Sequence, residues 1–269
     1  MNEVTWVLEP DIFPHSHEPV RAAIRARGHH LVDWSDEWWS GGVPARVPRS
    51  RVLFHGSLGN AARIAEELCW SPGSFCHTRP FHCSSWYESA RKWLVHTDWV
   101  ICAANELVAR APSIARQLGS AGALFVRPDS PLKPFSGRVV EVATLTLAKL
   151  DHGFYYEDDT IPVVAAPIQA IGKEWRFVVV NRAVVAGSAY DPQTRKAVRA
   201  PLDSTAAEFA STVAADISAP ERVFVLDVCE CNGRLRLLEL NPFGGADLYA
   251  CDATAVVDKV SAIAAAHEC

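Results

Sequence analysis

The chain lacks any apolar run near the roughly 20 residues a membrane helix needs. Its longest apolar stretches, Val163 to Ile171 and Ala253 to Ala266, are broken by Pro167, Gln169, Asp258 and Lys259. No basic cluster is present either: 26 Lys and Arg stand against 31 Asp and Glu, a formal charge of −5. Nucleic acid is therefore not the expected partner, and neither is a membrane. The start, Met1 to Trp6, has neither the positive segment nor the apolar core of a secretory signal, so the expected compartment is the cytoplasm. There the eight cysteines read as thiols rather than as a disulfide framework. They show no zinc spacing: Cys76, His77, His82 and Cys83 lie close together without C-x-x-C pairs and read as core or loop residues.

What is present is the composition of a folded protein. Of 269 residues, 49% are hydrophobic and 21% charged, enough for one large domain or a few lobes. Val4 to Leu8 reads as a strand, Glu18 to Arg27 as a helix with Ser16 at its cap, and His30 to Trp34 as a second strand, a β-α-β opening. Arg51 to His55 is a further strand. It ends in Gly56-Ser57-Leu58-Gly59, a tight turn without the full phosphate-cradling fingerprint, and Asn60 to Cys69 follows as a helix. Tyr87 to Val95 and Glu106 to Leu118 have helical spacing, the second kinked or divided at Pro112.

Eight of the nine tryptophans precede residue 105. That shift sets the expected boundary between an N-terminal α/β domain, residues 1–104, and a second domain, residues 105–269. Trp34, Trp38 and Trp39, beside Asp36 and Glu37, either pack a core or line an acceptor pocket, and packing is the simpler reading. Beyond residue 120 the chain becomes strand-rich: Ala123 to Arg127, Ile161 to Ile168, Glu174 to Val180, Ala183 to Ala189, Arg222 to Glu230 and Arg234 to Asn241. Helices are expected over Ser204 to Ser218, with Thr205 and Glu208 as a capping box, and over Ala253 to Ala266. The class is α+β.

The last hairpin carries the most chemistry. Both strands are mostly apolar on both faces, so Asp227 and Glu239 are costly to bury unless paired, and Asn241 adds a third oxygen two positions along. Register decides whether they meet. A two-residue Asn232-Gly233 turn sets Asp227 opposite Leu238, pointing away from Glu239, whereas a three-residue loop Cys231-Asn232-Gly233 brings Asp227, Glu239 and Asn241 onto one face. In that second register the oxygens suit Mg²⁺ rather than zinc or copper; otherwise they are solvated or bridged to an arginine. Upstream, Phe125 to Gly137 is a strand entering a proline-rich loop, with Arg127 as a fixed fork and Lys133 as a mobile charge. These two cations either contact a nucleotide or simply decorate a surface loop. Arg176, after Glu174 and Trp175, begins a third cluster.

In this order the segments Phe125 to Gly137, Val163 to Tyr190 and Val225 to Tyr249 resemble the ATP-grasp superfamily. They are most similar to its branch of amide ligases with arginine at the usual nucleotide-binding lysine, over residues 100 to 269. The resemblance implies an ATP-grasp fold with a small lobe over about 120–165 and a large lobe over about 166–269, preceded by a small α/β pre-ATP-grasp domain. It implies ATP and Mg²⁺ as cofactors. Arg127 and Lys133 would contact the α- and β-phosphates, Arg176 the γ-phosphate and the transferring group, and Asp227, Glu239 and Asn241 one or two Mg²⁺. Glu174 joins the nucleotide contacts. Adenine would lie near Val164, Ala166 and Ile168, where Ala165-Ala166-Pro167 replaces an acidic residue common in relatives. Asp247 and Tyr249 fall in the acceptor region, Asp247 to hold an amine or to start a helix.

The implied reaction is ATP-dependent carboxylate–amine ligation through an acyl phosphate, under a mobile loop over Ser130 to Gly137. Small-molecule or peptide carboxylates and amines are the implied substrates. Cys229 and Cys231 are packing residues in this scheme. The competing expectations are a phosphotransferase that stops at a phosphorylated product, and a non-catalytic nucleotide-binding interaction module.

Overall fold

A computed structural model describes residues 3–150, 158–191, 196–198 and 203–266. The chain divides into two compact units, one joining residues 1–77 to 172–269 and the other formed by residues 78–171. The expected boundary near residue 104 lies inside the second unit, at the junction of a paired strand and the helix that follows it.

The first unit opens with β1 (Thr5–Leu8), α1 (His17–Ala26), β2 (His30–Asp33), α2 (Trp38–Gly41), β3 (Ser50–His55), α3 (Leu58–Glu67) and β4 (Ser71–Gly73). The strands form a parallel sheet in the order β2-β1-β3-β4. Alternation along β1 splits its side chains between two cores. Val4, Trp6 and Leu8 pack with Val20 and Ile24 of α1, while Val7 packs with Trp34, Phe54 and Ile64. Trp34 meets Trp38, Trp39 and Trp70 edge to face, so the tryptophans build a core. The Ser16 side chain does not cap α1; its hydroxyl is taken by a residue 231 positions away.

The second unit holds α4 (Cys83–Ala90), β5 (Val100–Ala103), α5 (Ala104–Gln117), β6 (Ala123–Pro128), β7 (Arg138–Glu141), α6 (Leu147–Leu150) and β8 (Pro162–Ala166). Its antiparallel sheet has the order β5-β8-β6-β7. Leu124, Val126, Val163 and Ala165 pack with Leu107, Ala111 and Ile114 of α5. Alternation therefore sends Phe125, Arg127, Val164 and Ala166 to the opposite face. Helix α4 starts earlier than its periodicity suggests, because Asp129 caps it from the end of β6: its Oδ1 accepts from the Ser84 amide at 2.7 Å and its Oδ2 from the Ser84 hydroxyl at 2.9 Å. Pro112 does not divide α5. It sits on the solvent face, where water can satisfy the carbonyl that its missing N–H leaves open.

The chain then forms β9 (Ile171–Val180), β10 (Ala183–Asp191), β11 (Lys196–Val198), α7 (Ser204–Asp216), β12 (Val223–Cys231), β13 (Arg234–Pro242) and α8 (Ala253–Ala266). These strands make a five-stranded sheet, β11-β10-β9-β12-β13, in which β10 pairs antiparallel with β9 and β11, and β12 antiparallel with β13. One face buries Val178, Val180, Val223 and Val225 together with Trp6 of β1 and with Val256, Val257 and Val260 of α8. The Trp6 indole N–H donates to the Ser261 hydroxyl at 3.0 Å, joining the first strand to the last helix. Asp203, and not the Thr205–Glu208 box, caps α7, its Oδ1 accepting from the Thr205 and Ala206 amides at 2.9 and 3.2 Å. Seven described cysteines are free thiols, Cys229 and Cys231 buried among them. Among the described residues no helix is long and apolar enough to cross a membrane.

Candidate active site

The β12–β13 hairpin turns through Asn232 and Gly233, both left-handed at φ 52° and 70°, and Cys231 pairs with Arg234. This is the two-residue turn. Taken alone it separates Asp227 from Glu239, but the ladder shifts: Val228 pairs with Leu237 and Asp227 with Glu239, leaving Leu238 bulged. The bulge re-aims every side chain beyond it. Asp227, Glu239 and Asn241 share a face without the three-residue loop that the sequence reading required.

That face continues the one that buries Val223 and Val225, so the two innermost groups are buried: Asp227 is 8% and Asn241 6% exposed. Their burial is compensated. Arg176, on the same face of neighbouring β9, donates through Nε to Asp227 Oδ1 at 2.8 Å and through Nη2 to Oδ2 at 2.7 Å, a bidentate fork. Asn241 Nδ2 donates to the same Oδ2 at 3.0 Å. Burial works against the Arg176 charge, yet Asp227 outweighs it and raises the guanidinium pKa further. Nη1 donates to the Asp247 carbonyl at 2.8 Å, and the guanidinium lies 4.4 Å from the centre of the Tyr249 ring.

Asp247 itself is held in a turn. Its Oδ1 accepts from the Ser16 hydroxyl at 2.7 Å and from the Tyr249 amide at 3.0 Å. It does not start a helix; Asp252 caps α8. The preceding residues dock on the carboxyl end of the parallel sheet. The Gly56 amide donates to the Gly244 carbonyl at 2.9 Å, and His55 Nε2–H donates to the Ala246 carbonyl at 3.0 Å. Burial pushes the His55 pKa down to about 4, which keeps the ring neutral. Ser16 and His55 carry no local signal for this role, because their partners lie about 190 to 230 residues away in sequence.

Glu174, on the Arg176 face two residues upstream, has its pKa pushed up to about 7 by burial, with the Asp227 and Glu239 charges adding to the effect. Because the folded-state pKa is raised, Glu174 favours the native state most below the ordinary value of 4.5. That contribution is lost as pH climbs through about 7. In chelator, wild type should lose on the order of 1–2 kcal/mol across this window after solvent screening, and Glu174→Gln should flatten the profile. Denaturant melts at a series of pH values measure it; an unchanged slope in the variant would contradict the assignment.

The donor set fits a hard cation. A carboxylate pair and an amide oxygen on one face suit Mg²⁺, with no thiolate or imidazole among them. No group of three His, Cys, Asp or Glu side chains suited to a metal occurs among the described residues; on this face the third oxygen would be that of Asn241.

In the second unit Arg127 pairs with Val164 across the ladder, and Phe125 with Ala166, so Arg127, Val164 and Ala166 share the face away from α5. Val164 and Ala166 are buried, Ile168 is 48% exposed, and Lys133 stands exposed in the loop after β6 with φ 48°.

Solved structures with this arrangement of elements include an ATP-grasp ligase and two synthetases. The D-cycloserine synthetase DcsG superposes with a TM-score of 0.63 at 16% identity, over 97% of this chain and 99% of its own. The ATP-grasp ligase PsnB, complexed with precursor peptide PsnA2 and AMPPNP, gives 0.57 at 15% identity over 98% and 97%. D-alanyl-alanine synthetase A from Vibrio cholerae O1 biovar eltor str. N16961 gives 0.55 at 12% identity over 98% and 96%. At these identities the likeness is one of fold. Residues 48–260 match the ATP-grasp domain, R-two-K clade, family 3, and the chain belongs to that family. No curated protein sequence matches it.

Proposed function

We propose that this chain is an ATP-dependent carboxylate–amine ligase. The observation that carries the reading is the Arg176–Asp227 fork beside Glu239 and Asn241 on one sheet face: a permanent cation next to oxygen donors suited to Mg²⁺. When bound, MgATP supplies the transferable phosphoryl group and the positive charge that balances it. Asp227, Glu239 and Asn241 are assigned to the metal, and Arg176 to the equatorial oxygens of the group in transfer, where fixed donors lower the barrier without reorganising. Arg127 and Lys133 are assigned to the other phosphates, Val164, Ala166 and Ile168 to the base, and Glu174 to the same nucleotide. Arginine at position 127 does the work of the usual lysine.

The substrate carboxylate takes the phosphoryl group and an amine then displaces phosphate, forming the amide. Asp247 and Tyr249 are assigned to the acceptor side. Water has to be kept from an activated carboxylate, which it would hydrolyse. The fold neighbours include a ligase complexed with a precursor peptide and synthetases named for small amino-acid products, and both substrate classes enter the test. Purified protein with Mg²⁺, ATP and pooled amino acids and short peptides should yield ADP, phosphate and a condensed product by mass spectrometry. Glu239→Gln should lower turnover by about 100-fold or more. A phosphorylated product without condensation, or full activity in Glu239→Gln, would overturn the reading.

A further inference from the structure

Three observations converge on β10, a strand to which none of the assignments above gives a role. Ser188 and Tyr190 lie on one face of β10, directly opposite Arg176 and Glu174 of β9. The Ser188 hydroxyl accepts from the Ala250 amide at 3.2 Å, which ties β10 to the residue after Tyr249. The Tyr190 ring stacks on the Tyr249 ring with centroids 4.9 Å apart and planes 15° off parallel. Tyr249 in turn lies against the Arg176 guanidinium. Arg176, Tyr249 and Tyr190 therefore form a column of contacts with Tyr249 as its middle member.

Ordinary packing does not account for the middle residue. Tyr249 is only half-buried, and its backbone is left-handed at φ 52°, a conformation that a bulky L-residue adopts only when its surroundings hold it there. What that backbone achieves is to place the ring against Arg176 while the Asp247 carbonyl, two residues earlier, accepts from Nη1. The Asp227 fork fixes one edge of the guanidinium in its plane. The Tyr249 face restricts tilt out of that plane, and a ring can do so only if it is itself backed.

We propose that Tyr190 is a positioning residue for Arg176, acting through the Tyr249 ring. The proposal rests on the ligase reading for its catalytic consequence, though not for its structural content. Its chemistry needs an aromatic face at position 190 and no hydroxyl. Tyr190→Phe should therefore behave as wild type, whereas Tyr190→Leu, apolar but without the ring, should loosen the guanidinium.

The first readout needs no substrate. In full-length protein labelled with ¹⁵N-arginine, exchange of the Arg176 Nε proton should be slow in wild type and Tyr190→Phe and about tenfold faster in Tyr190→Leu. Equal exchange in all three proteins would overturn the proposal and leave the ligase reading standing. The second readout is turnover: Tyr190→Leu should lower kcat about tenfold with the KM for ATP changed less than about twofold, and in an Arg176→Lys background it should have no further effect. Losses that simply multiply in the double variant, or a Tyr190→Phe as impaired as Tyr190→Leu, would also overturn it. Exchange that responds as expected in a protein with no ligase turnover would uphold the column and remove the ligase reading.

Discussion

Asp227→Ala is expected to unfold more easily by about 3–5 kcal/mol and to lose nucleotide turnover altogether. The carboxylate accepts three hydrogen bonds, two from Arg176 and one from Asn241, and both partners of the ion pair have side chains only 11% exposed. Removing it leaves a guanidinium that cannot shed its proton, enclosed without a counter-charge. At the size of this chain the loss corresponds to roughly 10 °C in Tm. A second variant separates folding from chemistry. Replacing both partners by apolar residues, Arg176→Met with Asp227→Leu, should recover much of the stability, since no charge is then stranded, while turnover stays absent. Thermal or denaturant melts and an ADP-release assay measure the two effects. An Asp227→Ala protein with wild-type stability would mean that the fork contributes nothing to the fold. One with wild-type turnover would remove Asp227 from the metal shell.

Gly244→Ala is expected to cost about 3 kcal/mol, through a different cause. A Cβ on residue 244 would stand 2.1 Å from the Ser74 carbonyl oxygen, with the Ser74 carbonyl carbon at 3.0 Å. That neighbour is backbone in the segment after β4 and cannot swing aside as a side-chain tip would, so the turn from Phe243 to Gly245 must move. The movement propagates along a short path. The same turn supplies the Gly244 carbonyl to Gly56 and leads into the Asp247 carbonyl that holds Arg176 Nη1. A fall of about 10- to 100-fold in kcat should therefore accompany the loss in stability, although residue 244 touches no reacting group. Gly41→Ala is the matched control: that glycine, at the end of α2, has open space around its Cβ position, and the variant should change stability and turnover little. Equal stability of Gly244→Ala and wild type would show that the turn does not dock as tightly as the contact requires.

Much of this architecture is legible in the order of residues. The strand over Thr5–Leu8, the helix over His17–Ala26 and the closing helix over Ala253–Ala266 follow from periodicity, because each puts one face into a core and the other outside. The hairpin of β12 and β13 is legible for the same reason, with Asn232-Gly233 marking its turn. Caps are less legible. Asp203 beside Ser204 is a local signal that competes with a capping box that does not form, whereas Asp129 caps α4 from across the second unit. The polar groups of the hairpin are legible as residue types, but the register that joins them is not. A turn rule applied at one end of a hairpin assumes an unbroken ladder, and the bulge at Leu238 has no residue-type signature of its own.

By itself, then, the sequence determined which side chains could do chemistry here: the oxygens of Asp227, Glu239 and Asn241, the guanidinium of Arg176 and the alternation that points them the same way along their strands. Those are short-range properties, set by side-chain identity and by the two-residue repeat of a strand. The tertiary structure alone decided that Asp227 faces Glu239, that Arg176 closes a fork on Asp227 from a strand 51 positions earlier, and that Ser16 and His55 hold the segment carrying Asp247. Such contacts form only when distant segments share a core. Their free energy comes from burying Trp6, Val225 and Val257 in one place, and that is a property of the folded whole which no local window contains.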